Sequence, residues 1–171
     1  MTHSGGVGDK NLLLRSAPTG DFEIRMRVIF TPTNNFQIAG LVLYQDNNDY
    51  LMLGRSHCDT SVPACVGDGI YFHRVEEGSF VGSNFTTSTT TQGEVYLRVI
   101  REDTTYSGFY SEDGTSWTLI GRHTPSGGIL LSRVGLTAAQ GTPEIPADFN
   151  CFRLDANYRK EVFLPLVVKN Y

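Results

Sequence analysis

The stretch Asn35–Arg55, NFQIAGLVLYQDNNDYLMLGR, decides how this chain is read. Two runs, Ala39–Tyr44 and Tyr50–Arg55, flank the polar tetrad Asp46-Asn47-Asn48-Asp49. Both runs are rich in β-branched, aromatic and large aliphatic residues, which favour a pleated strand. The tetrad consists of residues whose short amide or carboxylate bonds its own backbone in a tight turn. The segment therefore predicts a β-hairpin with a loop of about four residues. Both parities of each run are largely apolar, so this hairpin belongs at the centre of a sheet, packed below and covered or occupied above. Its second face is expected to be partly available to a ligand.

Outward from the hairpin, the same strand-and-turn rhythm continues. Asp21–Phe30, DFEIRMRVIF, alternates with Phe22, Ile24, Met26 and Val28 on one parity and Glu23, Arg25 and Arg27 on the other, a half-buried strand. Ile70–Val75, Glu94–Arg101, Tyr106–Ser111, Trp117–Gly121, Ile129–Ala138 (with Gly135 read as a bulge) and Ala147–Leu154 read as further strands. Residues 56–69 read as a long loop, and the threonine-rich residues 79–93 as an edge strand or a loop. No segment of about ten residues shows a helical stripe with caps. Nine or more short strands without crossover helices predict an all-β, antiparallel two-sheet sandwich. The expected organisation is a loose N-terminal segment over residues 1–11, one sandwich over 12–160, and an apolar tail over 161–171. That tail is either a last strand or a segment that docks onto a neighbouring domain.

Composition narrows the function. The 171 residues suffice for one sizeable core. A net charge of −4 without a basic cluster argues against nucleic acid. No run of about 18 apolar residues is present, so no membrane-spanning helix is expected. The start, MTHSGGVGDK, lacks the apolar core of a signal segment, so a secreted parent would have lost one, or the chain is an excised module. Of the three cysteines, Cys58 and Cys65 bracket DTSVPA. They are read as a local disulfide rather than as half of a metal site, because no second pair of Cys or His lies nearby. A disulfide points to an extracellular, secreted setting. Cys151 is read as a buried free thiol.

The successive segments GDFEIRMRVIF, NFQIAGLVLYQDNNDYLMLGR, VYLRVIREDTTYSGFYSEDGTSWTLIG and PADFNCFRL resemble the concanavalin A-like β-sandwich (jelly roll) found as the C-terminal domain of bacterial beta-xylosidases and arabinofuranosidases. Related laminin-G-like modules occur in secreted bacterial proteins. The resemblance covers roughly residues 20–155, and its specific parts are AGLVLYQDNNDYL and YSEDGTSWT. It implies two curved sheets and a carbohydrate-binding or accessory role beside a neighbouring catalytic domain. The insert carrying Cys58 and Cys65 and the C-terminal tail depart from it.

The residues agree with a non-catalytic role. Glycoside hydrolysis needs two carboxyl groups flanking the bond, about 5–9.5 Å apart. Glu76 and Glu77 are adjacent, diverge and precede Gly78 in a turn. No histidine pair has metal spacing, and no Gly-x-Ser-x-Gly elbow occurs. A structural calcium is the one cofactor considered, with Asp21 and Asp148, together with Asp155, as ligands; the tetrad Asp46–Asp49 is read as a turn before it is read as a calcium loop. For a polysaccharide or oligosaccharide ligand the candidates are Tyr44, Gln45, Tyr50, Arg55, Tyr71, His73, Arg98 and Tyr110. These residues supply aromatic faces for C–H surfaces and planar polar groups for hydroxyls. Trp117 is read as a core or rim packer. The expected function is binding of plant β-glycan, xylan-like by analogy, on a sheet face; the alternatives are a laminin-G-like structural or adhesion module with a protein or cell-surface partner, and a stand-alone glycosidase.

Overall fold

The computed structural model describes residues 11–63, 65–82, 85–89, 93–139 and 145–156. They form strands only: β1 (Leu12–Ser16), β2 (Phe22–Ile29), β3 (Ile38–Tyr44), β4 (Tyr50–Cys58), β5 (Gly67–Glu76), β6 (Ser79–Phe80), β7 (Phe85–Ser88), β8 (Glu94–Glu102), β9 (Thr105–Ser111), β10 (Thr118–His123), β11 (Arg133–Ala139) and β12 (Asp148–Ala156). One sheet runs β1-β11-β3-β4-β5-β6, with β7 also on β5, and the other runs β10-β9-β8-β2-β12. Every pairing is antiparallel. The all-β two-sheet sandwich expected from the sequence is the observed architecture. Residues 1–10 and the tail 161–171 lie outside the described residues, so the expectations for both ends stay as stated.

Alternation builds the core. Phe22, Ile24, Met26 and Val28 of β2, Val95, Leu97 and Val99 of β8, and Leu41, Leu43, Leu51 and Leu53 of the hairpin meet between the sheets. Leu41 and Leu53 are directly opposed and fully buried, so truncating either to Ala costs about 3 kcal/mol. The other parity of the hairpin carries a second apolar cluster on the outer face of the larger sheet: Ile38, Val42, Tyr44, Tyr50, Met52, Tyr71 and Val75. That is why every residue of β3 is buried.

Local details differ from the sequence reading. The 56–69 loop is shorter, because the β4–β5 ladder continues until Cys58 faces Gly67. Tyr50 pairs with Tyr44, and the Gln45 backbone amide donates to the Asp49 carbonyl at 3.0 Å. Residues 79–93 hold two short edge strands. Gly135 sits in unbroken register between Leu14 and Val42, so it marks a close approach of backbones and not a bulge. The register shifts fall at Leu119–Gly121 and Asn150–Arg153. The second of these turns Cys151 (φ 56°) outward, where its thiol is exposed rather than buried.

Candidate functional site

The larger sheet gathers four of the expected ligand residues. Tyr44 and Tyr50 oppose each other, while Tyr71 and His73 lie on β5 next door, all on the outer face. The three tyrosines are withdrawn from solvent, Tyr44, Tyr50 and Tyr71 being 7%, 1% and 2% exposed, and His73 is half-buried. Cys58 and Cys65 form the expected disulfide, and Val62 and Cys65 of the loop it closes, with Val66 just beyond it, fold onto this face. The Tyr71 hydroxyl accepts from the Val66 amide at 3.0 Å and donates to the Gly67 carbonyl at 2.9 Å. Tyr44 donates to Asn47 Oδ1 at 2.7 Å. Burial lifts the Tyr50 phenol to about 12 and depresses the His73 imidazole to about 4, with Arg74 adding to the latter. His73 lies edge-on between Tyr71 and Phe80, with ring centroids 5.8 and 5.4 Å away.

The other expected residues separate. Gln45 is structural: its Oε1 accepts from the Leu130 amide at 2.5 Å. Arg55 shares its parity with Leu51 and Leu53 and points between the sheets, 2% exposed. Burial lowers its pKa while Asp68 and Glu112 oppose that shift. Tyr110 packs against the same central core. Asp21 accepts from the Asp103 amide at 2.7 Å and stands at one end of β2, whereas Asp148 pairs with Ile29 at the other end, about 25 Å away. Asp155, opposite Glu23, is nearer to Asp21 than to Asp148. In the tetrad, Asp46 Oδ1 accepts from the Asn48 and Asp49 amides at 2.8 and 3.1 Å, as an Asx turn does. Among the described residues, no three His, Cys, Asp or Glu side chains converge as a metal site would require.

Arg98, the eighth candidate, belongs to a different surface, the outer face of the smaller sheet. Cross-strand pairing sets Arg153 of β12 beside Arg25 of β2, and Arg25 beside Arg98 of β8. The next row holds Asn150, Arg27 and Tyr96. A groove of about 250 Å³ runs here, walled by Arg25, Arg27, Tyr96, Gly114, Trp117 and Arg153. The Arg98 guanidinium lies 5.4 Å from the Trp117 ring and 5.5 Å from that of Phe109, within cation–π range.

The turn before β10 presents Trp117. Asp113 accepts from the Ser116 and Thr115 amides, each at 2.7 Å, and from the Ser111 and Ser116 hydroxyls. Those donors hold its carboxyl well below the usual range. Gly114 follows at φ +75°, where an added Cβ would lie 3.1 Å from the Tyr96 ring, so the missing side chain opens the groove. Two carboxylates underpin the arginines: Glu23 Oε2 pairs with Arg98 at 2.7 Å, and Glu94 with Arg27 at 2.5 Å. The bond from Arg27 holds the Glu94 carboxyl below its usual range. The arrangement supplies aromatic faces and a fan of N–H donors to a ligand, with both acids engaged in ion pairs.

Sequence reasoning missed Tyr96, Arg25, Arg27, Trp117 and Arg153 as one surface. Alternation in β2 and β8 already placed Arg25, Arg27, Tyr96 and Arg98 on outward parities; what was missing was the β2–β8 pairing. Arg153 had no such signal. A regular strand from Asn150 would turn it inward, and the extra residue at the bulge turns it out.

The family model described as "Beta xylosidase C-terminal Concanavalin A-like domain" matches residues 4–155, and the chain belongs to that family. Among solved structures, it is similar to the GH43 protein BlXynB of Bacillus licheniformis (TM-score 0.73, 20% identity, 85% of this chain and 29% of that one). It is also similar to the xylan beta-1,4-xylosidase of Bacillus halodurans (0.70, 19%, 85% and 29%). A functionally unknown protein from Saccharomyces cerevisiae is a further match (0.65, 19%, 86% and 74%). The chain thus spans less than a third of the two Bacillus proteins. No curated protein sequence matches it.

Proposed function

We propose that this chain is a non-catalytic, carbohydrate-binding accessory module of a secreted bacterial glycan-degrading protein, acting beside a catalytic domain on a xylan-like β-glycan. Family membership supports the accessory role, and the disulfide supports an oxidising, extracellular setting. The observation that carries the binding reading is Trp117, held over an open groove by a fully bonded turn and flanked by Tyr96 and arginine donors. An indole face packs against the C–H face of a pyranose, while guanidinium groups donate to its hydroxyls. The ligand surface is therefore the outer face of the smaller sheet; of the eight residues expected from sequence, Arg98 belongs to it. Glu76 and Glu77 offer no acid pair, since both oxygens of Glu76 are bonded by His123 and Ser126.

Isothermal titration with xylan, β-glucan and arabinan oligosaccharides tests this reading. Heat is expected with xylo-oligosaccharides, together with a change in tryptophan emission. Absence of heat with all three at millimolar ligand refutes it, and release of reducing sugar by the chain alone refutes the non-catalytic part.

A further inference from the structure

We propose that the groove on the smaller sheet is built for an acidic glycan: a sugar ring rests on Trp117 and a uronate carboxylate is held by Arg153 and Arg25. This deepens the carbohydrate-binding reading and rests on it.

An electrostatic cost is built into this face. Arg153, Arg25 and Arg98 stand side by side across three adjacent strands. Like charges directly opposite one another on a sheet face destabilise it. The chain, with a net charge of −4, nevertheless lines this groove with Arg25, Arg27 and Arg153 and with no carboxylate. The acids on the same face, Glu23 and Asp155 in the adjoining row and Glu94 beside Arg27, leave the row only partly compensated. Glu23 is committed to Arg98 at 2.7 Å and reaches Arg25 Nε at only 3.5 Å; Asp155 stands 4.0 Å from Arg25 Nη2. Glu94 is taken by Arg27. Among the described residues, Arg153 forms no salt bridge and is exposed. A bulge places it there, at the cost of a left-handed backbone at Cys151.

One weakly paired guanidinium, that of Arg25, and one without an ion pair, that of Arg153, match one ligand chemistry beside an aromatic platform. A carboxylate accepts paired N–H bonds from the planar guanidinium fork, and the attached ring has an apolar face for Trp117. A neutral glycan uses the platform but leaves the positive row uncompensated. A uronate-bearing glycan uses both.

The test follows Trp117, the single tryptophan, by fluorescence in the full chain. The probes are a xylo-oligosaccharide carrying one glucuronate, the neutral xylo-oligosaccharide of equal length, a sulfated oligosaccharide, and free glucuronate. The acidic xylo-oligosaccharide is expected to bind roughly five- to tenfold more tightly than the neutral one, with free glucuronate far weaker. The ratio is expected to fall below about twofold in about 0.5 M NaCl. Arg153→Gln and Arg25→Gln, both at solvent-exposed side chains, are each expected to pull the ratio towards one; Arg122→Gln on β10, an equal loss of charge elsewhere, is expected to leave it unchanged. Equal affinity for acidic and neutral ligands overturns the proposal while leaving the glycan-binding reading intact. So does a preference that survives both arginine changes, or tighter binding of the sulfated ligand. Unchanged emission with every oligosaccharide removes the binding reading and the proposal together.

Discussion

Oε1 of Glu76, at the end of β5, lies 2.6 Å from Nε2 of His123, at the end of β10, and this contact ties the two sheets at their open edge. Ser126 completes the grip, its amide 3.3 Å from each carboxylate oxygen and its hydroxyl bonded to Oε2. Burial pushes the Glu76 carboxyl up, but the Ser126 hydroxyl and amide and the His123 ring more than offset this and hold it below its usual range. The serine bonds the carboxylate and not the imidazole, so the trio is a clasp and not a nucleophile. Glu76→Ala strands both partners and is expected to cost about 2–3 kcal/mol in urea unfolding. A double-mutant cycle with His123→Ala is expected to show a coupling of at least about 1 kcal/mol. An additive result would mean that the clasp contributes nothing.

His73 sets an acid limit on stability. Its folded pKa, about 4, lies below the value of about 6.5 for an exposed imidazole. Above pH 6.5 both states are neutral and the full stability is present. As pH falls, the unfolded chain takes up the proton first, so stability is lost between about 6.5 and 4. For a side chain that keeps some solvent contact the loss is about 2 kcal/mol. Glu76 acts in the same direction, because its depressed folded pKa withdraws stability as acid protonates it. His73→Gln is expected to flatten the pH dependence above about 4.5 while leaving the steeper loss below it. An unchanged profile would place the titrating group elsewhere.

The Cys58–Cys65 disulfide closes a short loop, its cysteines seven positions apart, that packs on the apolar outer face of the larger sheet. Closing a loop of this size restrains the unfolded chain by about 2.5 kcal/mol on the chain-entropy estimate. Reduction, or the paired Cys58→Ser and Cys65→Ser change, is expected to lower the midpoint of urea unfolding accordingly. It is also expected to expose Tyr71, seen as increased ANS binding. Equal midpoints with and without reductant would refute this.

Gly114→Ala probes the groove itself. The new methyl meets the Tyr96 ring and the residue must hold φ near +75°, so about 1 kcal/mol of stability is expected to be lost. The displaced ring narrows the space beside Trp117, and glycan affinity is expected to fall more than tenfold. Trp117→Ala is expected to abolish binding with little change in the urea midpoint. Unimpaired binding in both variants would place the ligand elsewhere.

Much of the fold is legible in the sequence. The parity of Phe22, Ile24, Met26 and Val28 dictates a strand with one dry face. The doubly apolar hairpin around Asp46–Asp49 dictates a central position, since only burial on both sides accommodates it. The short spacing of Cys58 and Cys65 was readable for the same reason: it is a contact between residues close in the chain. The site was much less legible. Tyr44, Tyr50 and Tyr71 have the residue types of a sugar platform, yet their rings are buried.

What the amino-acid order determined by itself, then, is the local grammar: which residues extend, where they turn, and which parity is apolar. What only the tertiary structure decided is which outward face remains open and what stands beside what upon it. Arg153 reaches the side of Arg25 through one extra residue at Cys151 and a pairing with β2, more than a hundred positions away in the chain. Alternation has a period of two and is blind both to a single inserted residue and to the choice of neighbouring strand, so that juxtaposition exists only once the sheets have formed.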